Sequence, residues 1–266
     1  MNRSSYYDWL KRAEVGKKAN ATLLLTEIRA IFEKSRQTYG AIRMTRELRC
    51  RGYKVNKKRV ARLMREDGLK SVHRRKFKVC TTDSKHSYPV AENILHQDFS
   101  TTAPNQKWGC DITYIPTDEG WLYLAVVLDF YSRKIVGWSM DSSLHAELCC
   151  DAVTKALIRR NRPVELVHHS DRGSQYASFE YRRILKKHGL TPSMSRKGNC
   201  YDNAMVESFF HTLKVECVHR QRFATRNDAF REISNYIEQF YNNWRRHSAL
   251  DYLNPVEYEN LFMLAA

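Results

Sequence analysis

The sequence predicts an α/β domain built on a mixed sheet, preceded by a small all-α domain of helix-turn-helix type. Three observations predict it. Apolar residues recur at helical spacing through residues 22–66. From residue 107 onward they instead form short strand-like stretches separated by helical ones. Charge divides the chain at the same place: residues 1–103 hold 24 Lys/Arg against 10 Asp/Glu (+14), and residues 104–266 hold 21 against 19 (+2).

The first domain can be read element by element. Leu24, Leu25, Ile28, Ile31 and Phe32 mark one face of a helix over 22–35, which Tyr39-Gly40 ends. A second helix fits Ile42 to Cys50, with Ile42, Met44 and Leu48 inward, and Arg51-Gly52-Tyr53 turns the chain. Asn56 is placed to cap a third helix from Lys57 to Glu66, and Gly68 to end it. Val60, Leu63 and Met64 give that helix an apolar face; Lys57, Lys58, Arg59, Arg62 and Arg65 give it a basic one. Two short helices, a glycine turn and a basic second helix make a helix-turn-helix whose cations suit DNA phosphates. Residues 71–103, with the run HRRKFK at 73–78 and a polar, unpatterned remainder, read as an extended basic linker.

The second domain follows in order. Lys107 to Ile115 is a strand, Asp118-Glu119-Gly120 a hairpin turn, and Trp121 to Asp129 a strand apolar enough to be buried on both faces. Lys134 to Met140 is a third strand. Leu144 to Arg160 has helical period, Leu166 to His169 is a short strand, Ser178 to His188 a helix and Leu190 to Met194 a last strand. A glycine-containing loop, Ser195 to Asn199, precedes a helix from about Asn203 to Val218. Thr225 begins a final helix over 226–246, with Asp228 in an imperfect capping box. Its stripe of Phe230, Ile233, Ile237, Phe240, Tyr241 and Trp244 is suited to pack on the sheet.

Composition removes several classes. In 266 residues there are 10 Gly and 6 Pro, which excludes collagen-like and low-complexity chains. The longest apolar run, Trp121 to Leu128, is too short to span a bilayer, and the start MNRSSYYDWLKRAE has no apolar signal core. A soluble, cytoplasmic protein without a membrane partner is expected, and its net charge of +16 points toward a polyanion. The seven cysteines lack CxxC spacing, which suits reduced and mostly buried thiols. His211, Cys217 and His219 fit no common zinc pattern.

Three carboxylates stand out. Asp111 lies inside the first strand, Asp171 just past the fourth, and Glu207 in the first turns of the helix near 203–218. A charged Asp within an apolar sheet costs free energy unless it is paired or binds a cation. Converging carboxylates suit Mg²⁺, with Mn²⁺ as substitute, and two such ions can serve phosphodiester chemistry. Spacing alone is weak evidence, because this half holds many acidic pairs.

The residues around each carboxylate are more specific. W-G-C-D-I-T-Y (108–114), H-S-D-R-G-S-Q-Y (169–176) and G-N-C-Y-D-N-A-M-V-E-S-F-F (198–210) resemble the DDE integrase core of bacterial insertion-sequence transposases. The similarity is closest to the second-reading-frame (OrfB) product of the IS3 family. Y-N-N-W-R-R-H-S-A-L-D-Y-L-N-P-V-E-Y (241–258) resembles that family's tail, and the region of Tyr39-Gly40 its helix-turn-helix. The resemblance covers about residues 22–260. It implies a ribonuclease-H-like mixed-sheet core and DNA strand cleavage followed by strand transfer. It also implies that Asp111, Asp171 and Glu207 are the catalytic, metal-binding triad. The partners it implies are double-stranded DNA, both terminal inverted repeats and target, a homo-oligomer on that DNA, and fusion with or dependence on the upstream-frame (OrfA) product. The sequence lacks the zinc module of retroviral integrases and sustained heptads, as the OrfB part alone would.

Other residues join the candidate DNA surface. Arg172 beside Asp171, Arg196 and Lys197 in the loop, and Asn203 one turn before Glu207 are placed to meet phosphate or base, or in the case of Asn203 to orient Glu207. His169 reads either as a phosphate-positioning group or as a buried, hydrogen-bonded histidine. Arg245, Arg246 and His247 could grip DNA or complement a helix dipole. The expected division is residues 1–70 for DNA binding, 71–103 as linker, 104–222 as catalytic core and 223–266 as helical extension. A catalytically silent DNA-binding regulator is the competing reading. A nuclease acting on RNA–DNA hybrids is a third, disfavoured because it needs no basic arm.

Overall fold

The computed structural model describes residue 3 and residues 21–72, 88–196 and 200–265. The chain divides into two compact units, residues 1–73 and 74–266.

The first unit contains α1 (residues 21–34), α2 (Ala41–Cys50) and α3 (Lys57–Glu66). Leu24, Ile28, Ile31 and Phe32 of α1 are buried with Met44 and Leu48 of α2 and Val60, Leu63 and Met64 of α3. Ile42, expected inside, is half exposed. Residues 42 and 44 lie about 200° apart around a helix, so a core that takes Met44 and Leu48 turns Ile42 away. The Asn56 side chain accepts the Arg59 N–H at 2.8 Å and caps α3. Gly68 follows it at φ +71°, a left-handed position that favours glycine. Lys57, Lys58, Arg62 and Arg65 face solvent, Arg59 is half-buried, and Arg62 lies 3.8 Å from Glu66.

The second unit is built on a five-stranded sheet of order β3-β2-β1-β4-β5. The strands are β1 (Lys107–Thr117), β2 (Gly120–Asp129), β3 (Ile135–Asp141), β4 (Val167–Ser170) and β5 (Thr191–Met194). The first three are antiparallel, joined by short turns. β4 and β5 run parallel to β1, so helices must cross between them. These are α4 (Ala146–Arg159), the short α5 (Ser174–Ala177), which the sequence does not suggest, and α6 (Phe179–Lys187). They cover one face of the sheet with Leu148, Val153, Leu157, Tyr181 and Leu185. The other face is covered by α7 (Ala204–Glu216) and α8 (Arg226–Asn235), through Val206, Phe209, Leu213 and Ile233. Cover on both sides explains the nearly continuous apolar sequence of β2.

Two expectations are corrected here. The final helix does not run regularly from 226 to 246. Thr225 and Asp228 form a complete capping box, but α8 ends at Asn235 and the backbone widens into a π-helix over Tyr236–Tyr241. The wider turn brings Asn242 onto β3, where its side chain accepts the Ile135 N–H (2.9 Å) and donates to the Ile135 carbonyl (3.0 Å). The second half of the expected linker is also no linker. Asn93 and Leu95 are buried, Asn93 donates to Asp202, and the Ile94 N–H donates to Ser193 Oγ, so this stretch docks on the α/β unit. The basic run 73–78 lies outside the described residues.

The extension ends in α9 (Pro255–Ala265). Its Glu259 accepts from Arg160, Lys134 and Ser132, which ties α9 to α4 and the β2–β3 turn. Among the described residues no helix is long and apolar enough to cross a membrane.

The tightest approach in the sheet is at Gly137. A Cβ there would lie 2.3 Å from the Ala152 carbonyl oxygen and 2.7 Å from the Ala156 methyl, so α4 rests on bare β3 backbone. Gly137→Ala is expected to destabilise the α/β unit by about 1–3 kcal/mol, the usual cost of overpacking, read from the urea midpoint. An unchanged midpoint would show that α4 shifts freely.

Candidate active site

Strand register brings the first two carboxylates together. β1 and β4 pair in parallel from Lys107 opposite Val167 to Cys110 opposite Ser170. The next residue on β1 is Asp111, and the next after β4 is Asp171. Asp111 Oδ1 accepts the Ile112 N–H at 2.8 Å, and Asp171 Oδ1 accepts the Gly173 N–H at 2.9 Å. The two-residue period of a strand puts Gly109, Asp111 and Ile115 on the face that α7 covers.

Two contacts fix α7 there. A Cβ on Gly109 would meet Val206 Cγ2 at 2.8 Å and Phe130 Cε1 at 2.5 Å, so the helix packs where β1 has no side chain. Asn203, buried at the start of α7, donates from Nδ2 to the Cys110 carbonyl at 3.2 Å. Glu207 lies one turn past Asn203 and next to Val206, and it is exposed at the rim.

The electrostatics report the same proximity. Burial pushes the Asp111 carboxyl well above the usual carboxylate range, and the charges of Asp171 and Glu207 push it further. The Ile112 N–H and the Lys214 ammonium pull it back. Loss of solvent raises Glu207. Burial lowers Lys214, while Asp111 opposes that shift. Lys214 is a site residue that the sequence analysis does not single out. It stands seven residues after Glu207, two turns along α7, and that spacing is the available signal.

Three carboxylates supply hard oxygen donors of the kind that suit a small divalent cation. The set is coupled but not closed into a cage: among the described residues no three His, Cys, Asp or Glu side chains already form a metal cluster. His211, Cys217 and His219 form no such cluster either.

The residues expected at a DNA surface divide. Arg172 is half-buried and its Nε donates to the Ser195 carbonyl at 2.6 Å. Arg196 is held by an ion pair with buried Asp202 (3.1 Å), which also accepts the Arg196 N–H. Burial alone would raise Asp202, but Arg196 and Gln97 hold it down to about 2. Lys197 lies outside the described residues. Asn203 is 4% exposed, and its side chain meets β1 at the Cys110 carbonyl. His169 is the buried, hydrogen-bonded histidine, held between the hydroxyls of Ser193 (2.9 Å) and Ser195 (3.1 Å). Arg245, expected to project, is buried with both Nε and Nη2 on the Glu216 carboxylate at 2.8 Å. Arg246 is also buried and donates to the Tyr252 carbonyl.

Comparison with known proteins agrees with this architecture. The integrase core domain family matches residues 101–200 and a second integrase core family matches 207–262, while an HTH-like domain matches 18–77. The Escherichia coli K12 protein described as transposase InsF for insertion sequence IS3A is 48% identical over 265 residues, covering 97% of this chain and 90% of that one. The chain belongs to the IS3 family of transposases. A Shigella sonnei protein described as an uncharacterized 31 kDa protein of insertion element IS600 is 45% identical, covering 98% of this chain and 96% of its own. This IS3-family transposase also resembles a chain of the simian T-cell lymphotropic virus intasome solved with the PP2A regulatory subunit B56 gamma. That likeness has a TM-score of 0.51 at 14% identity, covering 83% of this chain and 70% of that one, and it is one of fold. An HTH-like region followed by a ribonuclease-H-like integrase core, the expected fold class, is therefore what the transposase has.

Two outcomes are expected from this geometry. Gly109→Ala should force Val206 and α7 outward, costing about 1–3 kcal/mol of stability, and should reduce Asp111–Glu207 coupling, read as a lower Asp111 pKa by NMR. No change in either would mean that Glu207 is placed by other contacts. The second concerns acid. Burial pushes His168 from its ordinary 6.5 down to about 3. The unfolded chain therefore takes up a proton below pH 6.5 that the folded chain refuses until about pH 3. Stability from this group is complete above pH 6.5 and falls as pH drops toward 3; melts of His168→Gln should show a flatter acid limb.

Proposed function

We propose that this transposase cuts DNA at the ends of its element and joins those ends to target DNA, using divalent cations held by Asp111, Asp171 and Glu207. The observation that carries the reading is the junction of β1, β4 and α7. There the parallel register ends one residue before two carboxylates, one on each strand's continuation, and a helix pinned at Gly109 and Cys110 adds a third. When bound, a pair of Mg²⁺ ions, or Mn²⁺, would activate the attacking oxygen and stabilise the leaving one.

The chain's own residues prepare that site. Burial and the neighbouring carboxylates raise the Asp111 carboxyl above its ordinary range, and a cation held there would favour its charged form. Lys214 partly offsets the crowded negative charge. Asn203 positions Glu207 through the Cys110 carbonyl. The reaction needs no covalent enzyme intermediate. Water attacks a phosphodiester, the bond from phosphorus to O3′ breaks, and a 3′-hydroxyl is released. That hydroxyl attacks a target phosphodiester, so one P–O bond forms as another breaks.

Residues 1–70 are the part that holds the terminal repeats. Lys57, Lys58, Arg59, Arg62 and Arg65 on the outer face of α3 are suited to phosphate, as is Arg172 next to Asp171, and Lys197 is a further candidate on its sequence. Residues 104–222 carry the chemistry, and 223–266 brace α7 through Arg245 and Glu216. Pairing two ends in one reaction calls for more than one copy on the DNA, and the OrfA product is the expected fusion partner.

The test is cleavage and strand transfer on a labelled terminal repeat with Mg²⁺. Asp111→Asn, Asp171→Asn and Glu207→Gln should each lower both steps by at least about 100-fold, the value of several kcal/mol of charge stabilisation, with DNA binding retained. Full activity in any one variant removes that residue from the set. Wild-type chain that shifts DNA but never cuts it, alone or fused to OrfA, would favour the silent regulator.

A further inference from the structure

We infer that the outer face of α6 is a second DNA-binding surface, one that carries the strand leading away from the carboxylates. The inference rests on the reading of the chain as a transposase acting on DNA. Three independent features of α6 support it.

The first is charge. The α/β half of the chain is nearly balanced, at +2 over residues 104–266. Several of its cations are held in ion pairs, among them Lys107 with Asp98, Arg159 with Glu238, Arg222 with Asp118 and Arg231 with Asp228. On α6, by contrast, Arg182, Arg183, Lys186 and Lys187 stand within six residues, all exposed, and none has an ion pair within 4 Å among the described residues. Glu180 on α6 and Glu147 and Asp151 on α4 act on Cys150 together with Arg183. On α6 itself four cations stand against one carboxylate, Glu180. A solvated cluster of like charges repels itself, and a polyanion relieves that repulsion.

The second is pattern. Tyr181 and Leu185 turn inward, so the outward face is centred on Phe179, Arg183 and Lys186, at i, i+4 and i+7. Arg182 and Lys187 flank that line. Phe179 is 63% exposed, an aromatic ring in water at the head of a basic stripe. Cations on phosphates beside an aromatic platform for a base is the arrangement that nucleic-acid grooves use. Nine residues of helix span about 13 Å, enough for two or three phosphates of one strand.

The third is placement. β4 ends at Ser170, beside Asp171, and β5 runs parallel to it starting opposite Val167. The chain must therefore return along α6, so the Phe179 end lies toward the carboxylates and the Lys187 end away from them. A strand entering or leaving the site along this face would meet the ring first and the cations after it.

Lysine acetylation of the full-length wild-type chain, with and without a terminal-repeat duplex, tests this by mass spectrometry. Lys186 and Lys187 should be protected by DNA along with Lys58 of α3. Protection of Lys58 without Lys186 and Lys187 overturns the α6 surface while leaving DNA binding intact. Protection of none of the three overturns both. A second measurement uses the full chain carrying R183Q, K186Q and K187Q, with its fold checked by circular dichroism. Arg182 is left in place because its Nε donates to the Ala177 carbonyl. The slope of log binding constant against log salt should become shallower by about 2 or more, near 0.9 for each phosphate no longer neutralised. A slope equal to that of wild type overturns the proposal.

Discussion

The close approach of α7 to β1 at Gly109 is the constraint on which the rest of the site depends. A side chain at that position would collide with Val206 and Phe130, so the helix can settle only on bare backbone. Once it is there, Asn203 reaches the Cys110 carbonyl and Glu207 comes within electrostatic range of Asp111. The parallel pairing of β1 with β4 supplies the other half, because it ends one residue before both aspartates. Local sequence, sheet register and helix packing thus converge on one corner of the fold.

The charges at this corner behave differently from those elsewhere. Buried carboxylates in the rest of the α/β unit have a cation in hand: Glu216 has Arg245, Glu259 has Arg160 and Lys134, and Asp202 has Arg196. Those pairs are structural, and a buried pair that loses one partner typically costs about 3–5 kcal/mol. Asp111 instead has two like charges as neighbours and only Lys214 in opposition. A fold that pairs its buried acids and leaves one set crowded is consistent with the proposed cation site.

Much of this architecture is legible in the sequence. Asn56 and Gly68 bound α3 because capping and left-handed backbone depend on single residue types. Asp111 stands out because a charge interrupts an apolar alternation. What escapes a sequence reading depends on distant partners. Nothing local to Arg245 says that Glu216 waits 29 positions earlier in the chain, and nothing in residues 88–100 says that Ser193 and Asp202 will receive them. The π-turn after Asn235 follows from Asn242 finding Ile135, another long-range match. Asn203 reads as a DNA-surface residue because helix period cannot distinguish a rim from an interior when the covering strand is unknown. Gly109 gives no signal for the same reason, since its importance lies in what has no room to stand there.

In the proposed site Asp111, Asp171 and Glu207 hold the cation together. A crystal grown with Mn²⁺ and measured near the manganese absorption edge addresses it directly, since the anomalous map locates the ion without reference to activity. The expected result is a peak bounded by oxygens of these three side chains, absent from crystals of Asp111→Asn. A peak held by other residues, or a fully loaded site that survives Asp111→Asn, would contradict it.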